Sequence, residues 1–581
     1  MKVNTPMIKK YFFHTIVLIL IITGCESNHA DMVIHNGTIY TMDDYNPIAQ
    51  NVVIKDGKII DVGTKNNYNK YIGPNTDVLD LSGSTMIPGL IEGHGHFMGL
   101  GRAKMRLDLS QVENYDELIN IVEDAVNKAA PGEWILGRGW HQSKWAPSPD
   151  IVVKGFQTHE KLSSISPNNP VWLTHASGHA SFGNAKAMEI GGITAETEFG
   201  FGGEIIKDLN GKPTGIFNER AQSLISRHIE TSIYNADGNL VSDSDQQMSM
   251  RALELAVNEC LKNGITSFHD AGSGAESIQA FRDGIINKKL KVRLYVMLTS
   301  RDPKLLEDWY KKGPEIGTGN DYLTIRSIKL NADGALGSRG AWLLNEYSDR
   351  LGHFGMATQS MDYVYEVSSN GLNNGFQVNT HAIGDRANRE VLDQYERVFN
   401  ENPQKNNDLR WRIEHAQHID PQDIPRFGEM GVIASIQGIH MSSDRPWAIN
   451  RLGKKRIIEG AYVWRSLMDY GAIVVNGSDV PVEPINPIAS FYASVSRKTL
   501  KGNPENGYEP NQKMTRLEAL KTYTINAAYA AFEEDIKGSI EIGKYADFTV
   551  LSKNIITIPE DKILQTDILY TIINGQIEYK N

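Results

Sequence analysis

Between residues 88 and 535, short apolar runs that favour β-strands alternate with longer stretches of helical character. This alternation is typical of a parallel sheet whose strands are joined by crossover helices. The sequence therefore predicts an α/β fold, a (β/α)8 TIM-like barrel over residues 88–535. The eight candidate strands end with the segments Ile91–His94, Ile265–His269, Leu294–Met297, Ser327–Leu330, Phe376–His381, Trp411–His415, Val432–Ser435 and Ile473–Asn476.

The first two candidate strands are separated by a long gap. It covers about residues 101 to 250, far more than an ordinary βα loop, and therefore predicts an inserted subdomain after the first barrel strand. Both chain ends, 31–87 and 536–581, are rich in short β-runs, and Asn-Gly or Asp-Gly pairs within them indicate hairpins. These pairs are Asn36-Gly37, Asp56-Gly57 and Asn574-Gly575. We expect the two ends to form one small β-sandwich domain.

The first 24 residues predict a lipoprotein signal peptide. Three lysines precede the apolar run Tyr11–Ile22, which is short for a membrane span and typical of a signal h-region. The run leads into Ile22-Thr23-Gly24-Cys25, which resembles a bacterial lipobox. This resemblance implies that Cys25 becomes a lipidated N-terminus and that the protein is anchored to a membrane of the bacterial cell envelope. The alternative is an ordinary secretory signal with a chance cysteine. Cys260, the second of two cysteines, then has no disulfide partner.

The charge balance bears on the partners. The formal net charge is −11 at pH 7, which argues against nucleic acid or an anionic lipid surface as the main partner. We expect a small-molecule substrate, and the sequence does not indicate an oligomeric state.

Histidines and a carboxylate follow several of the candidate strands. In an extended chain, residues two apart face the same side, so His94 and His96 can reach one ion. His381 and His415 each end an apolar run, and Asp479 closes the last one. Neutral imidazole is a common ligand of zinc and similar ions. Any one of these features is ordinary alone, but the carboxyl ends of barrel strands meet at one mouth. Together they predict a divalent metal site.

The ensemble of motifs resembles the amidohydrolase superfamily, specifically amidohydrolase family 3, the group that includes N-substituted formamide deformylase-like proteins. The resemblance covers almost everything after the leader. Its landmarks are Pro88–His96, Ser177–Ala180, Lys329–Arg339, His381–Asp385, Arg412–His415 and Gly477–Pro481.

The resemblance implies one or two divalent ions, with zinc expected. His94, His96 and Asp479 would bind the first ion, and His381 and His415 the second. Lys329 matches a position that is often carboxylated to bridge two ions, because a carbamate is an anionic ligand whereas free ammonium is repelled by cations. The alternative is an uncarboxylated Lys329, as a salt-bridge partner or in a one-metal site.

The implied reaction is hydrolysis of a non-peptide C–N bond in an N-acyl amine, an N-formyl amine or a cyclic amide. Hydroxide held by the metal would attack, with Asp479 as general base. His179, His440, Arg339 and Trp140 are candidates for substrate contacts, with a packed structural role as the alternative, and His269 is left unassigned. His141, beside Trp140, departs from the acidic residue usual in relatives. A lactone or ester hydrolase and a catalytically inactive, lipid-anchored binding protein are the alternative functions.

Overall fold

The computed structural model describes residues 1, 29–64, 66–229, 233–234, 240–241, 245–405 and 408–581. Cys25 and the predicted signal peptide therefore lie outside the described residues, apart from Met1.

The strands, in chain order, are β1 (Met32–Tyr40), β2 (Ile48–Lys55), β3 (Lys58–Gly63), β4 (Asp77–Asp80), β5 (Thr85–Pro88), β6 (Leu90–Gly95), β7 (Leu107–Asp108), β8 (Ile135–Trp140), β9 (Val171–His175), β10 (Ala180–Gly183), β11 (Gly203–Lys207), β12 (Pro213–Glu219), β13 (Ile233–Tyr234), β14 (Leu240–Val241), β15 (Ile265–Ser273), β16 (Arg293–Thr299), β17 (Glu315–Gly317), β18 (Leu323–Asn331), β19 (Gln377–Ala382), β20 (Arg412–His415), β21 (Ile433–Ile436), β22 (Val474–Asn476), β23 (Phe548–Leu551), β24 (Ile568–Ile573) and β25 (Gln576–Lys580).

The helices are α1 (Phe97–Ala103), α2 (Tyr115–Val126), α3 (Glu160–Ile165), α4 (Ala185–Ile190), α5 (Ser223–Ser226), α6 (Asp245–Lys262), α7 (Ala275–Ile286), α8 (Pro303–Lys312), α9 (Thr318–Asp321), α10 (Met361–Asn373), α11 (Asp385–Glu401), α12 (Ile424–Met430), α13 (Gly438–Gly460), α14 (Trp464–Asp469), α15 (Pro487–Ser496), α16 (Arg516–Thr522) and α17 (Ile525–Ala530).

The central sheet is a nearly closed barrel of eight parallel strands. Its order is β6-β15-β16-β18-β19-β20-β21-β22, and β17 adds an antiparallel extension to β18. The first and last strands lie side by side, because a Cβ placed on Gly93 of β6 would come within 2.5 Å of the Asn476 carbonyl oxygen. All eight predicted barrel strands are confirmed. Both faces of these strands are buried, which explains why the strands appear in the sequence as continuous apolar runs.

A second sheet combines strands from both ends of the described chain. Its order is β25-β24-β23-β5-β1-β2-β3, with β4 beside β1, and the antiparallel pair β5–β23 joins the two ends. Asp56-Gly57 and Asn574-Gly575 form two-residue hairpin turns with positive φ at both positions, as predicted.

The predicted hairpin at Asn36-Gly37 is wrong. Strand β1 continues through this pair with a shift in register between His35 and Ile39. The first half of β1 pairs with β4 and the second half with β5, so the pair bends one strand from one partner to the next. Asn36 has φ 61°, and its side chain donates a 2.7 Å hydrogen bond to Asp80. An Asn-Gly pair allows positive φ in a bulge as readily as in a turn.

The segment between β6 and β15 contains a six-stranded sheet of order β11-β12-β10-β9-β8-β7. The long first βα connection is therefore a structured insertion. Across the chain outside the undescribed stretches, no helix has both the length and the apolar character needed to cross a membrane. Cys260 is buried on α6 as a free thiol.

Candidate metal centre

The predicted metal-binding side chains meet at the carboxyl ends of the barrel strands. His94 lies near the end of β6, Lys329 near the end of β18, His381 in β19 and His415 at the end of β20. Asp479 lies three residues beyond β22. The imidazole of His415 is 4.9 Å from that of His94 and 4.4 Å from that of His381, measured between ring centroids. The barrel thus brings together residues that are up to 385 positions apart in the chain.

Hydrogen bonds from the protein fix the orientation of three imidazoles. The Nδ1 atom of His94 donates to Glu414 at 2.5 Å, that of His96 to the Ala271 carbonyl at 2.8 Å, and that of His415 to Gln437 at 2.7 Å. Since each partner atom can only accept, the proton is on Nδ1 and the lone pair is on Nε2. This is the arrangement by which outer-shell partners prepare histidines to bind a metal.

The loop after β22 holds Asp479 in front of these rings. The Asp479 amide donates to the His94 carbonyl at 2.8 Å, and the residue has φ 57°. The preceding Ser478 donates from its amide and its hydroxyl to Glu92, at 2.6 and 2.9 Å. Glu92 and His94 belong to the first barrel strand, so contacts between the first strand and the last strand's loop set the position of the carboxylate.

The ligand atoms of His94, His415 and Asp479 all lie within 4.8 Å of one another, and the three residues are buried. Asp479 Oδ1 is 3.2 Å from His96 Nε2 and 3.6 Å from His94 Nε2. This oxygen is buried and has no hydrogen-bond partner among the described residues. A buried carboxylate oxygen facing imidazole lone pairs is costly unless a cation lies between them. The nitrogen and oxygen donors therefore fit a divalent ion of the zinc type.

The electrostatics of the site keep His381 and His415 neutral and Asp479 ionised. Burial lowers the pKa of His381 and of His415 well below the usual range for histidine. Burial alone would raise the pKa of Asp479, but the His96 imidazole 3.2 Å away and those of His415 and His94 hold it well below its usual value. Neutral imidazole and charged carboxylate are the forms that bind metals.

Two further predicted ligands lie beside this group. Lys329 Nζ is 3.3 Å from His94 Nε2, and burial lowers its pKa. The Nε2 atom of His381 is 3.3 Å from Asp333 Oδ1. Asp333 also accepts backbone hydrogen bonds from Ile383 and Gly384, so it anchors the loop that follows β19.

The insertion contributes a histidine from the opposite side of the mouth. Gly178, with φ 75°, lies in the turn between β9 and β10 and directs His179 towards the barrel, 5.3 Å from the His381 ring. Glu219, at the end of β12, accepts a 2.7 Å hydrogen bond from His179 Nδ1. Burial lowers the pKa of His179, and the Glu219 charge outweighs that effect, so the net shift is upward. The upward shift in pKa favours the protonated form of His179, in which both ring nitrogens can donate hydrogen bonds.

Two cavities open at the site, and both are lined by His179, His381 and Asp479. The first also exposes His141, His440 and Trp447, and the His440 ring stacks on His415 at 6.2 Å. His179 lines both cavities and His440 lines the first, and their contact with substrate stays a prediction.

The predictions for Trp140 and Arg339 need correction, because neither residue lines these cavities. Trp140 is fully buried in the core of the insertion, where its indole N–H donates to the Leu173 carbonyl at 2.8 Å. Arg339 is paired with Asp349 at 2.9 Å. The indole and the guanidinium each have a partner within the protein, so both residues have a structural role.

His269, to which the sequence assigns no role, is buried beside Arg412, whose guanidinium lies 3.1 Å from the Nδ1 atom of His269.

Several residues of the site carry no signal in the sequence. Glu414, Gln437 and Glu219 each orient a histidine, and Trp447 lines the first cavity. Glu414 directly precedes His415, and strict alternation in a strand would place the two on opposite faces. His415 has φ 77°, which turns the chain and lets both reach the site.

Comparison with known proteins agrees with this geometry. The amidohydrolase family model matches residues 77–579. Protein LONG AFTER FAR-RED 3 of Arabidopsis thaliana is 33% identical, over 90% of this chain and 88% of that protein. The N-substituted formamide deformylase of Arthrobacter pascens is 29% identical, over 95% of this chain and 98% of that enzyme. An uncharacterized metal-dependent hydrolase from Pyrococcus furiosus superposes with a TM-score of 0.68 at 26% identity, covering 90% of this chain and 100% of that chain.

The family match covers most of the chain, and the candidate metal site lies where the barrel strands end. The chain therefore belongs to the amidohydrolase family and is a hydrolase that acts on C–N bonds.

Proposed function

We propose that the protein hydrolyses a non-peptide C–N bond in an N-acyl amine, an N-formyl amine or a cyclic amide. The observation that carries the proposal is the set of three imidazoles whose Nδ1 atoms are hydrogen-bonded while their Nε2 side faces Asp479. Such a set supports metal-dependent hydrolysis, and the deformylase relative supports an amide as the bond.

His94, His96 and Asp479 would hold one ion, and His381 and His415 a second, with Lys329 between them in its carboxylated form. When bound, a divalent ion supplies Lewis-acid polarisation of the carbonyl and makes water more acidic. A carboxylated Lys329 would add an anionic oxygen between the two ligand pairs. Lys329 lies 3.3 Å from His94, close to the site. Labelling with isotopic bicarbonate, followed by NMR of the carbamate carbon, would test this modification.

Asp479 is the base of the proposed mechanism. Its buried Oδ1 accepts the proton of the attacking water as the water oxygen bonds to the carbonyl carbon. The same carboxyl then gives this proton to the nitrogen as the C–N bond breaks, so the products are a carboxylic acid and an amine. His179, held by Glu219, donates a hydrogen bond to the carbonyl oxygen as negative charge develops there.

The first test is metal analysis of purified protein together with a screen of N-formyl, N-acetyl and cyclic amides. We expect one or two divalent ions per chain and turnover of at least one amide class. Protein that contains no metal after expression in metal-replete medium would contradict the proposal. Turnover confined to esters or lactones would instead favour the alternative hydrolase activity, and metal without any turnover would favour a binding protein.

Asp479→Asn tests the base directly. The substitution should lower kcat by about 100- to 10,000-fold, because general-base catalysis contributes about that much. Asp308→Asn, at an exposed position on α8, is the matched control and should keep full activity. Undiminished amide turnover by Asp479→Asn protein would overturn the assignment.

We also propose that the mature protein is a lipoprotein of the bacterial cell envelope, anchored through Cys25. Support comes from the basic, apolar and Ile22–Cys25 sequence pattern. Intact mass of the mature protein from the native membrane should show an acylated N-terminal Cys25. A mature chain that starts elsewhere without acyl groups would contradict the anchor.

A further inference from the structure

The second cavity at the active site is lined by five arginines. It holds about 1140 Å³ of free space, its solvent-open part included, and its lining also contains His179, His381, His415 and Asp479. The arginines are Arg102, Arg106, Arg138, Arg220 and Arg301. They come from α1, the segment after it, β8, the residue after β12 and the segment after β16. Five separate segments of barrel and insertion thus direct positive charge to one cavity.

Most of these guanidinium groups lack an anionic partner. Arg102 is paired with Glu276 at 2.9 Å, and Arg138 donates to the carbonyls of Pro481 and Ala176, at 3.2 and 3.1 Å. Within the described part of the chain, no carboxylate lies within 4.0 Å of Arg106, Arg138, Arg220 or Arg301.

Two carboxylates, Glu219 and Asp479, line the same cavity. Glu219 accepts a hydrogen bond from His179, and Asp479 lies 3.2 Å from His96. The burial of Arg138 lowers its pKa to about 10, so it still carries its full charge at neutral pH, at a cost in solvation. With five arginines and only these two carboxylates in its lining, the cavity has an excess of positive charge beside the metal site.

This excess of positive charge is opposite in sign to the net charge of the whole chain. The protein has a formal net charge of −11, so a cationic cavity is a local departure from an acidic background. A cleft lined by one sign of charge concentrates ligands of the opposite sign and speeds their association. The planar guanidinium group matches the two oxygens of a carboxylate or a phosphate in particular.

We propose that the substrate carries an anionic oxyacid group, a carboxylate or a phosphate, and that these arginines bind it while the amide lies over the metal site. This inference rests on the proposed amide hydrolysis for its reaction, but the anion binding can be measured without turnover. The anionic group then selects the substrate: a neutral amide of the same shape leaves the guanidinium groups unpaired and is bound less well.

The turnover experiment compares N-formyl-benzylamine with its para-carboxylate and para-phosphonate derivatives, using metal-loaded enzyme. We expect kcat/KM to be higher for at least one anionic amide and this preference to fall as ionic strength rises. In Arg106→Gln protein, the ratio of anionic to neutral kcat/KM should fall about 10- to 100-fold, the range expected for a hydrogen bond to a charged group. Arg397→Gln, which removes an exposed arginine from α11 on the outside of the barrel, should leave the ratio unchanged.

The binding experiment uses calorimetry with benzoate, phenylphosphonate and neutral benzamide. We expect at least one anion to bind the wild type more tightly than benzamide and to bind Arg106→Gln about 10- to 100-fold more weakly. A carboxylate held by the metal alone would bind both proteins equally, so the variant separates the two modes. A preference for the carboxylate or for the phosphonate identifies the oxyacid.

The outcomes separate the two proposals. If amides are hydrolysed with no preference for charge and Arg106→Gln changes neither ratio nor affinity, the anionic substrate is wrong while the hydrolase proposal stands. If the anions bind and depend on Arg106 but no amide is hydrolysed, the anion site stands and the proposed bond is wrong. If neither anion binds more tightly than benzamide, the inference is overturned whatever the turnover.

Discussion

The Nδ1 atom of His94 lies 2.5 Å from Oε2 of Glu414, and both side chains are completely buried. Burial alone would raise the pKa of Glu414, but His94, Arg412 and Lys329 together lower it to about 2. A permanently ionised carboxylate thus holds the ring with Nε2 facing Asp479. Its charge also makes the imidazole a stronger base and a better ligand.

Glu414→Gln should therefore weaken metal binding by at least about tenfold, since loss of an outer-shell partner typically costs 10- to 100-fold in affinity. The amide keeps an acceptor near Nδ1 but removes the charge. Competition with a chromogenic chelator measures the change. Glu396→Gln, at an exposed site on α11, loses only a surface ion pair with Arg426 and should bind metal as the wild type does. Equal affinities for both variants would contradict the role of Glu414.

Removing the metal should lower thermal stability. A ligand that binds only the folded state contributes about 3 kcal/mol when its free concentration is 100 times its Kd. We expect dialysis against a chelator to lower Tm and added zinc to restore it. In His415→Ala protein, which lacks a ligand of the buried group, the chelator should change Tm much less. An identical Tm with and without chelator in the wild type would argue against an ion in this group.

The barrel could be predicted from the sequence because each strand is an apolar run and several strands end near a histidine, a lysine or an aspartate. The positions of His94 and Asp479 follow from that pattern, since parallel strands bring their carboxyl ends together. The hairpin prediction at Asn36-Gly37 was wrong because a positive φ occurs in a β-bulge as well as in a turn. The local sequence does not determine which strand a given strand will pair with.

The partners of the ligands could not be predicted for a related reason. Glu414 and His415 are adjacent in the chain and both reach the site because φ of His415 is positive, which breaks the alternation of the strand. The five arginines of the second cavity come from segments that are up to 199 residues apart, from Arg102 to Arg301. For Trp140 the sequence leaves a packed structural role open beside a substrate contact, and its complete burial favours the structural role.

His179 should contribute to catalysis without contributing to metal binding. His179→Phe should lower kcat about 100- to 1000-fold, the usual cost of removing a donor to a developing oxyanion, while metal content stays at the wild-type level. Steady-state kinetics and metal analysis of the same preparation measure the two quantities. His228→Gln, at an exposed position in the insertion, is the control. A parallel loss of metal in His179→Phe would make the residue a ligand instead.

Trp140 and Trp447 should differ in what their substitution changes. Trp140→Phe loses a buried hydrogen bond to Leu173 and some core volume, so we expect a stability loss of about 1–3 kcal/mol with KM unchanged. Trp447 lines the first cavity, so Trp447→Phe should alter KM more than stability. Denaturation measures the stability of both variants, and steady-state kinetics measures their KM. A changed KM for Trp140→Phe would return this residue to the binding site.

Asp444 should make stability depend on pH. It lies in the wall of the first cavity near His440, Lys144 and Glu483, and burial raises its pKa to about 6. Between about pH 4 and pH 6 the folded state keeps a proton that an unfolded aspartate releases, so this group makes the wild type less stable as pH rises. The Asp444→Asn variant has no titrating carboxyl at this position. Its stability relative to wild type should rise by about 1–3 kcal/mol across this window and then level off.

Denaturation midpoints of the two proteins below, within and above this window measure the difference. Asp308→Asn is again the control, because Asp308 pairs with Lys304 on the exposed side of α8 and its side chain is 57% exposed. Its difference from the wild type should stay small throughout, since an exposed ion pair contributes little. Comparison with wild type at each pH cancels the titration of the groups that do not interact with Asp444. A constant difference for Asp444→Asn would show that the carboxyl is ionised in the folded state and that Lys144 and His440 outweigh its burial.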